Sequence, residues 1–397
     1  MKLGLGLGHD NTRIFWGMIF NEAGFGVYMT LWPIYIAALG ASPEQIGLVL
    51  GVQGFARLAF LLPSGPLGDR VRPERLVAGG RAFAVVGLVL IGLAQRWWQL
   101  FPGIVVLSAA TVAFPSISNL IAERAGTGWA RTRAFTLIYT VGPSASYLIM
   151  PVLGGLIAGL VDLHAVFYAG ALLTAGAVAV FATVSSRPPV IHEGPPVTYG
   201  ATLRQRPILI VFLLQFATIF VFSVGVTLVP NFLQDVHHVG VEQIGWLGSF
   251  AAIGTALIGV LISRSRPFRR PLAGIALSTG AVAGTLGVLL VGASLPLYAL
   301  AYLLRGGYGA GWSGFYSALG EVTPDRFRAR VYALAEIVAG TAVALAPFVA
   351  GWLYAMRPTG PLLVGLVLMV PLFGVMVWAG RAVRPATAAG VLVKERV

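Results

Sequence analysis

Four ionisable side chains lie inside long apolar stretches of this sequence, where charge is otherwise rare. They are Glu22, Arg57, Arg305 and Glu336. In a hydrocarbon environment a charged side chain costs about 3 kcal/mol or more on insertion scales, so residues that remain there are the first candidates for binding or charge movement. A function for this chain is therefore best argued from these four side chains.

Glu22 is the candidate for proton chemistry. It lies nine residues after Arg13, which corresponds to about 13 Å along a helix. A carboxylate in a low dielectric favours its protonated form, so Glu22 is predicted to exchange a proton, to bind a cation, or to do both in competition. Asn21 is predicted to contribute to the same site. The alternative is a structural role for Glu22, in an ion pair or in a hydrogen bond around Asn21.

Arg305 belongs to an aromatic stripe with helical spacing. Residues at steps of three and four share one face of a helix, and such a face offers stacking, cation–π contacts and hydroxyl groups to an amphiphilic ligand. Tyr302, Arg305 and Trp312 are therefore predicted to contact a substrate, and ordinary helix packing is the alternative interpretation. Gln215 and Asn119 are weaker candidates for the same cavity. The stripe consists of Tyr298, Tyr302, Arg305, Gly309, Trp312 and Tyr316.

The apolar stretches are long enough to cross a membrane. The chain has 397 residues, of which 57% are hydrophobic and 10% are charged, and its mean hydropathy is +0.85. A soluble protein carries about 25% charged residues. Apolar stretches of about 20 residues span the hydrocarbon layer as helices, and these lack the alternation of a membrane β-barrel. Twelve spans are predicted, at residues 14–39, 44–64, 74–94, 98–122, 133–158, 163–184, 207–234, 242–263, 272–293, 295–321, 330–356 and 360–384.

The formal net charge of +13 is a topology signal rather than a sign of nucleic-acid binding. With the N-terminus in the cytoplasm, all but four of the 27 Lys and Arg residues fall in or beside cytoplasmic segments. This distribution follows the positive-inside rule, and an even number of spans then places both termini in the cytoplasm. The first apolar run is expected to be a full span rather than a cleavable signal peptide. The four exceptions are Arg57, Arg96, Arg305 and Arg357.

The sequence contains an internal repeat. Glu44-Gln-Ile-Gly47 recurs as Glu242-Gln-Ile-Gly245, 198 residues later, and Pro151 recurs as Pro347 at an offset of 196. A nearly constant offset over several landmarks predicts two parallel six-helix bundles, at residues 1–184 and 207–397. Residues 185–206 are rich in Pro and Gly and form the predicted cytoplasmic linker, which is too short to be a catalytic domain.

The charged segment between the second and third spans carries a motif. It reads Pro63-Ser-Gly-Pro-Leu-Gly-Asp-Arg-Val-Arg-Pro-Glu-Arg-Leu76. Gly65, Asp69 and Arg70 resemble the Gly-x-x-x-Asp-Arg-x-Gly signature of the major facilitator superfamily, with Arg72 near the place of the second glycine. The resemblance implies that the acid of this loop braces the eleventh helix, so that these residues act as a conformational latch. A merely topogenic charged turn is the alternative.

The fifth span carries a second motif. Met150-Pro-Val-Leu-Gly-Gly155 resembles the Gly-Pro-x-x-Gly-Gly motif of superfamily exporters, with Met150 replacing the first glycine. Proline kinks a helix and glycines allow close approach to a neighbour, so Pro151, Gly154 and Gly155 are predicted to serve the conformational change. Because this motif is typical of antiporters, the resemblance favours efflux.

The resemblance also suggests a partner for Arg57. In the superfamily the second and eleventh helices pack together, so Arg57 and Glu336 are predicted to pair. The pair is either a gate that breaks when the two halves rock or a permanent structural salt bridge.

The sequence therefore predicts an all-α polytopic membrane protein with twelve transmembrane helices in two parallel-repeat bundles, similar to the drug–proton antiporters. The expected function is secondary active transport by alternating access, as proton-coupled efflux of hydrophobic or amphiphilic compounds. Uptake or flipping of an anionic solute or lipid is the alternative, and a non-transporting membrane sensor or scaffold is the alternative from another class.

The expected partners are a small-molecule substrate, protons and the lipid bilayer. No nucleophile–base pair or metal-ligand cluster is apparent in the sequence, so an enzyme is not expected, and neither is a cofactor, a metal or nucleic acid. The chain has no cysteine, which excludes disulfides. We expect a monomer in the plasma (inner) membrane.

Overall fold

The computed structural model describes residues 7–64, 67, 70–124, 129–184, 205–268, 270–323 and 328–382. Every regular element in these ranges is a helix. Each of the twelve predicted spans is helical over most of its described residues. Gly65 and Asp69 of the predicted latch, and most of the predicted linker, lie outside the described residues.

Twelve helical spans follow one another along the described chain, and we number them α1 to α12. Five of the twelve consist of two segments. They are α1 (His9–Met29 and Trp32–Ala38), α2 (Pro43–Leu61), α3 (Pro73–Gly92), α4 (Leu100–Ala109 and Phe114–Arg124), α5 (Trp129–Thr136 and Gly142–Leu160), α6 (Leu163–Ala182), α7 (Arg206–Val226 and Val229–Asp235), α8 (Val241–Arg264), α9 (Pro271–Val291), α10 (Leu295–Arg305 and Gly307–Val322), α11 (Arg328–Met356) and α12 (Gly360–Ala382).

Nine of these spans are long and apolar enough to cross a membrane, counted over the described residues only. The other three are α1, α2 and α10, and each of them carries at least one charged residue in its apolar stretch. α1 is interrupted after Met29 and α10 at Gly306, and α2 has both Glu44 and Arg57 within its 19 residues. The three spans that are least typical of a simple membrane helix thus carry three of the four intramembrane charges.

Local sequence explains where several helices begin. Ser42 caps α2, because its backbone N–H donates to Gln45 Oε1 at 2.8 Å while its hydroxyl accepts from the Gln45 N–H, and Pro43 occupies the first turn. This is the reciprocal capping box, completed by a proline that has no N–H to leave unsatisfied. Asp162 caps α6 by accepting from the Ala165 N–H at 2.7 Å.

Two spans contain irregular helical turns near their middle. The segments of α4 are joined by a 3₁₀ turn, Ala110–Ala113, and those of α5 by a π-helical turn, Leu137–Val141, directly before Gly142 and Pro143. Turns of either kind inside a longer helix are frequent at hinges and functional sites. Both lie in the first half of the chain.

Contacts divide the chain into two compact units. The first contains the described residues of Met1–Glu193 together with Leu233–Ser249, and the second those of Gly194–Phe232 and Phe250–Val397. The end of α7 and the first turns of α8 therefore pack with the first unit. The predicted six-plus-six division, at residues 184 and 207, stays a prediction.

The two units use the same helix pairings. In the first unit α1 packs against α5 and α6, and α3 packs against α4 and α6. In the second unit α7 packs against α11 and α12, and α9 packs against α10 and α12. Each pairing in one unit recurs six helices later in the other, as expected for a parallel repeat.

Each unit has its own apolar core. The core of the first unit includes Ile14 and Met18 of α1, Val77 of α3 and Ile138 of α5, all at most 2% exposed. The core of the second includes Ile208, Phe212, Ile275, Phe315 and Met376. On α1 buried residues lie on both sides of Glu22, from Ile14 and Met18 to Ala23 and Val27, so the carboxylate lies within the apolar packing of the first unit.

Candidate functional site

Glu22 is the centre of a polar cluster inside the first unit. Its side chain is half-buried, and both of its carboxylate oxygens accept a hydrogen bond. Asn21 Nδ2 donates to Oε1 at 2.8 Å, and the Tyr147 hydroxyl of α5 donates to Oε2 at 2.6 Å. Glu22 and Asn21 were predicted for this site and their functional roles stay predictions, whereas Tyr147 was not among the predicted site residues.

Small residues bring α5 close enough for this contact. A Cβ atom added to Gly154 would lie 1.8 Å from the Val27 carbonyl oxygen, and one added to Gly26 would lie 3.2 Å from Met150 Cβ. Ser146 also donates to the Ile19 carbonyl oxygen at 3.2 Å. Close helix approach over small residues is the usual basis of tight packing in membranes. Gly154 thus fixes the distance between α1 and α5 that the Tyr147–Glu22 hydrogen bond requires.

Arg81 on α3 is a charged residue that the sequence interpretation missed. It was assigned to the cytoplasmic flank of its span. In the structure it is half-buried and shares the inner face of α3 with Val77, Gly80, Ala84 and Leu88, all of which are buried. Its charge interacts with Glu22 and with Tyr139 of the π-helical turn. The residues around Arg81 are apolar on every face of α3, so the sequence alone does not indicate this orientation.

Tyr139 extends the cluster to α4. Its hydroxyl lies 2.9 Å from the Ser118 hydroxyl. Arg57 of α2 is exposed, and its charge interacts with Tyr147. Asn119 lies on α4 beside Ser118, but its side chain is outside the described part of the structure. The first unit therefore brings an acid, an arginine and two tyrosines into one polar cluster, in which α1, α3, α4 and α5 all take part.

In the second unit Arg305 lies at the break of α10. The chain turns at Gly306, whose close contact with Gly254 of α8 leaves no space for a side chain, since an added Cβ would lie 2.2 Å from the Gly254 carbonyl carbon. The Arg305 guanidinium stacks on the Tyr302 ring at 5.2 Å from its centroid. No carboxylate described in this unit lies within 4.0 Å of Arg305.

The aromatic stripe of α10 separates into two groups. Tyr298 and Tyr302 are buried, at 4% and 0% exposure, whereas Arg305, Trp312 and Tyr316 are half-buried. Trp312 stacks on Tyr308, and the Tyr308 hydroxyl lies 2.8 Å from that of Ser223 on α7. Gln215, also on α7, is 1% exposed, and its Oε1 accepts no hydrogen bond from the described residues of its unit.

The predicted gating residues have different surroundings. Gly155 crosses Gly245 of α8, with 2.6 Å between the Gly155 Cα and a Cβ added to Gly245, and Pro151 is buried at the same crossing. Arg70 is exposed. Glu336 of α11 accepts a short hydrogen bond from the Tyr316 hydroxyl in its own unit. The predicted pairing of Arg57 with Glu336 stays a prediction.

A second polar cluster of the first unit was not predicted. The Tyr35 hydroxyl donates to the Ile91 carbonyl oxygen at 2.8 Å and lies 2.9 Å from His164 Nδ1. His164 Nδ1 lies 2.9 Å from the Gly92 carbonyl oxygen, to which the Tyr168 hydroxyl also donates. These bonds tie the segment Trp32–Ala38 to the end of α3 and the start of α6. Because the carbonyl acceptors are at helix ends, the cluster satisfies backbone groups that a helix terminus leaves unpaired.

An all-helical chain with nine membrane-spanning candidates among its described residues, a parallel repeat and charged residues inside each bundle is a polytopic membrane protein of the transporter class. The family model described as Major Facilitator Superfamily matches residues 14–275 and 211–395. The chain belongs to the Major Facilitator Superfamily. It is a transporter of this superfamily and not an enzyme.

Two relatives and one solved structure illustrate the similarity. The "Inner membrane transport protein YajR" of Escherichia coli (strain K12) is 29% identical over 177 residues, which are 42% of this chain and 37% of that protein. The "Multi-drug resistance efflux pump PmrA homolog" of Lactococcus lactis subsp. lactis (strain IL1403) is 26% identical over 383 residues, 85% of this chain and 87% of that protein. The crystal structure of a point mutant of the nucleoside transporter NupG has a TM-score of 0.77 and 16% identity, over 94% of this chain and 99% of that chain. The match to YajR thus spans well under half of that relative.

Proposed function

We propose that this chain exports hydrophobic or amphiphilic compounds in exchange for protons, by alternating access across the plasma (inner) membrane. The observation that carries the proposal is the Glu22 carboxylate, which is half-buried in an apolar bundle and held by donors on two helices. The printed name of the Lactococcus relative, a multi-drug resistance efflux pump homolog, supports the direction and the substrate class.

The Glu22 geometry suggests how proton binding acts on the helices. The ionised carboxylate accepts from Asn21 and from Tyr147, and hydrogen bonds to a charged group contribute about 1.5–3 kcal/mol. A proton on either oxygen removes the charge and turns one acceptor into a donor, so the bond between α1 and α5 weakens. Protonation of Glu22 therefore loosens one helix contact while the glycine contacts nearby stay in place.

The remaining gating roles belong to the same proposal. In this scheme Asp69 and Arg70 serve as the conformational latch, and Arg57 and Glu336 serve as gating residues. Both termini lie in the cytoplasm, because the basic residues flank the spans on that side. In this scheme Pro151, Gly154 and Gly155 let α5 tilt against its neighbours.

Transport by purified protein in liposomes tests the proposal. With an imposed pH gradient and ethidium as the lipophilic probe, we expect wild-type protein to move the dye against its gradient. Glu22→Gln keeps the size of the side chain and removes the titrating group, so gradient-driven transport is expected to fall at least about tenfold while dye binding remains. Glu44→Gln, at the exposed start of α2, is the matched control. Full gradient-driven transport by Glu22→Gln would refute the coupling role.

Arg305 favours a second candidate function, the uptake or flipping of an anionic solute or lipid. Its guanidinium has no described carboxylate of its own unit within 4.0 Å and stacks on Tyr302, so an acidic ligand group would complete its environment. In the same liposomes, carboxyfluorescein replaces ethidium as the probe. Transport of the anion but not of the cation, lost in Arg305→Gln, would favour this second function over the first.

A further inference from the structure

We propose that Glu336 of α11 recognises the charged group of an organic cation, together with the rings of Tyr316 and Tyr332. Ligands of this class are protonated amines and quaternary onium ions attached to aromatic rings. The inference rests on the proposed function, since it specifies which amphiphilic compounds the transporter binds. A comparison of the two halves of the chain and the surroundings of Glu336 both support it.

The internal repeat extends to the residues that form the two apolar cores. Equivalent core residues are 198 positions apart between α4 and α10, and 197 positions apart between α5 and α11. A chain that repeats its sequence at these offsets and buries the same positions folds equivalent helix pairs. The equivalent core residues are Ile117 and Phe315, Ile121 and Leu319, Ala134 and Val331, and Ile138 and Ala335.

One side-chain contact recurs at the same two offsets. In the first unit the Ser118 hydroxyl of α4 lies 2.9 Å from the Tyr139 hydroxyl of α5. In the second unit the equivalent residues are Tyr316 of α10 and Glu336 of α11, and the Tyr316 hydroxyl donates to Glu336 Oε1. The same two positions therefore form a pair of hydroxyls in one half and a hydroxyl–carboxylate pair in the other.

A carboxylate is therefore not needed to join this pair of helices. The first unit satisfies the same positions with two hydroxyl groups. It also keeps the neighbouring ring, because Phe135 stands at the equivalent of Tyr332 and stacks on Tyr139 with 5.9 Å between the ring centroids. A carboxylate inside a membrane span is costly, and acids that are retained there mark ligand or ion sites. Glu336 is thus explained by a ligand rather than by packing.

The carboxylate of Glu336 has capacity for a further partner. Its side chain is half-buried, Oε1 accepts from Tyr316, and Oε2 accepts no hydrogen bond from the described residues of its unit. No basic side chain described in this unit lies within 4.0 Å of it. Arg330 lies six residues earlier on α11, on a different face, and Arg305 lies about 16 Å from Tyr316 along α10. One carboxylate oxygen therefore remains for a cationic ligand.

Aromatic rings surround this carboxylate. The rings of Tyr316 and Tyr332 are half-buried, with 5.7 Å between their centroids. Trp312 is also half-buried and lies four residues before Tyr316, on the same face of α10. Ring faces attract onium groups, and a carboxylate supplies the opposite charge. A metal ion is less suited to this place, because it needs several oxygen ligands, and the described residues contain no such group of acidic or histidine side chains.

Equilibrium binding to the purified full-length protein tests the assignment by titration calorimetry. The probes are tetraphenylphosphonium, an aromatic onium cation, and triphenylphosphine oxide, a neutral compound of similar shape. Glu336→Gln keeps the size of the side chain and an acceptor for Tyr316, and it is expected to weaken binding of the cation at least about tenfold. Binding of the neutral probe is expected to change by less than about twofold.

The matched control is Glu321→Gln, an exposed acid at the end of α10 in the same unit. We expect this variant to bind both probes as wild type does. Wild-type affinity for tetraphenylphosphonium in Glu336→Gln, or no measurable binding of this cation by wild type, would overturn the proposal.

A repeat-swap variant separates binding from folding. Tyr316→Ser combined with Glu336→Tyr places the hydroxyl pair of the first unit at the equivalent positions of the second. This double variant is expected to keep a cooperative thermal transition and to lose affinity for the cation as Glu336→Gln does. It carries the binding test if Glu336→Gln does not fold. A double variant that fails to fold, or that binds the cation with wild-type affinity, would contradict the proposal.

Two other roles of Glu336 predict different results in the same assays. If Glu336 binds a proton instead, Glu336→Gln alters the pH dependence of ethidium transport in liposomes and leaves binding of tetraphenylphosphonium unchanged. If it acts only through a pair with Arg57, Arg57→Gln weakens cation binding as much as Glu336→Gln does. Either result would overturn the assignment.

The outcomes also distinguish this inference from the proposed function. If cation binding depends on Glu336 while wild type shows no gradient-driven transport, the proposed function fails and the binding site stands. If gradient-driven transport depends on Glu22 while cation binding does not depend on Glu336, only the inference about Glu336 fails.

Discussion

Substitution of Gly154 by alanine tests whether the contact between α1 and α5 controls the site. The added Cβ would lie 1.8 Å from the Val27 carbonyl oxygen, and ordinary contact begins at 3.4 Å. The two backbones must therefore separate by about 1.6 Å, since neither atom belongs to a flexible side chain. Overpacking of this kind costs about 1–3 kcal/mol.

The same displacement reaches the carboxylate. Tyr147 lies two helical turns before Gly154 on α5, and its hydrogen bond to Glu22 is 2.6 Å long. A separation of about 1.6 Å at Gly154, even if halved at Tyr147, stretches this bond beyond about 3.2 Å, the upper end of the normal range. We therefore expect Gly154→Ala to lower both the thermal midpoint of purified protein and the rate of pH-driven ethidium transport.

Two further glycines make the comparison quantitative. A Cβ added to Gly155 would lie 2.8 Å from the Glu242 carbonyl oxygen, so Gly155→Ala requires a smaller backbone shift than Gly154→Ala. A Cβ added to Gly287 of α9 would have no atom within 4 Å. The thermal midpoint, followed by tryptophan fluorescence, is expected to decrease in Gly154→Ala more than in Gly155→Ala. Gly287→Ala is expected to be unchanged or slightly more stable, because alanine favours helix over glycine. Equal midpoints for Gly154→Ala and Gly287→Ala would refute the reasoning.

Two other predictions concern tyrosine hydroxyls. Tyr35→Phe removes the buried hydrogen bonds to the Ile91 carbonyl oxygen and to His164. It is expected to lower the free energy of unfolding by about 1 kcal/mol, measured as a lower thermal midpoint. An unchanged thermal midpoint would show that this cluster does not stabilise the fold. Tyr316→Phe removes the donor to the Glu336 carboxylate. Because a hydrogen bond to a charged group contributes about 1.5–3 kcal/mol, the thermal midpoint is expected to fall further than in Tyr35→Phe, and an unchanged midpoint would contradict the assignment.

The sequence predicted the fold because hydropathy, charge placement and the repeat all act at the scale of whole helices. The twelve spans, the repeat and the superfamily were all correct. Breaks inside spans were harder to predict, because they depend on which helices pack against the span. For example, α10 was predicted as one continuous helix, but it breaks at Gly306, where the backbone of α8 is in contact with it. A second glycine follows at Gly307, so the break had a local signal.

The site was predictable only in part. Glu22 was selected as a candidate because a carboxylate in an apolar run is rare whatever surrounds it, and its role stays a prediction. Arg81 was missed because its place in the sequence gives only its distance from the membrane surface, which assigned it to the cytoplasmic flank of its span. The direction in which the side chain points is seen only from the buried face of α3 in the structure. Tyr147 could not be assigned from sequence, since many tyrosines lie in these spans and its partner is 125 residues away.

The π-helical turn of α5 holds one residue more than an α-helical turn of the same rise. If Leu137–Val141 returned to α-helical geometry, every later residue of α5 would rotate by about 100° and advance by about 1.5 Å. Ser146 would then take the place of Tyr147 opposite Glu22, and Leu153 would take the place of Gly154 against the Val27 carbonyl oxygen, where a Cβ would lie at 1.8 Å. This change of register would therefore require α1 and α5 to separate first, because the Leu153 side chain has no space beside the Val27 carbonyl oxygen.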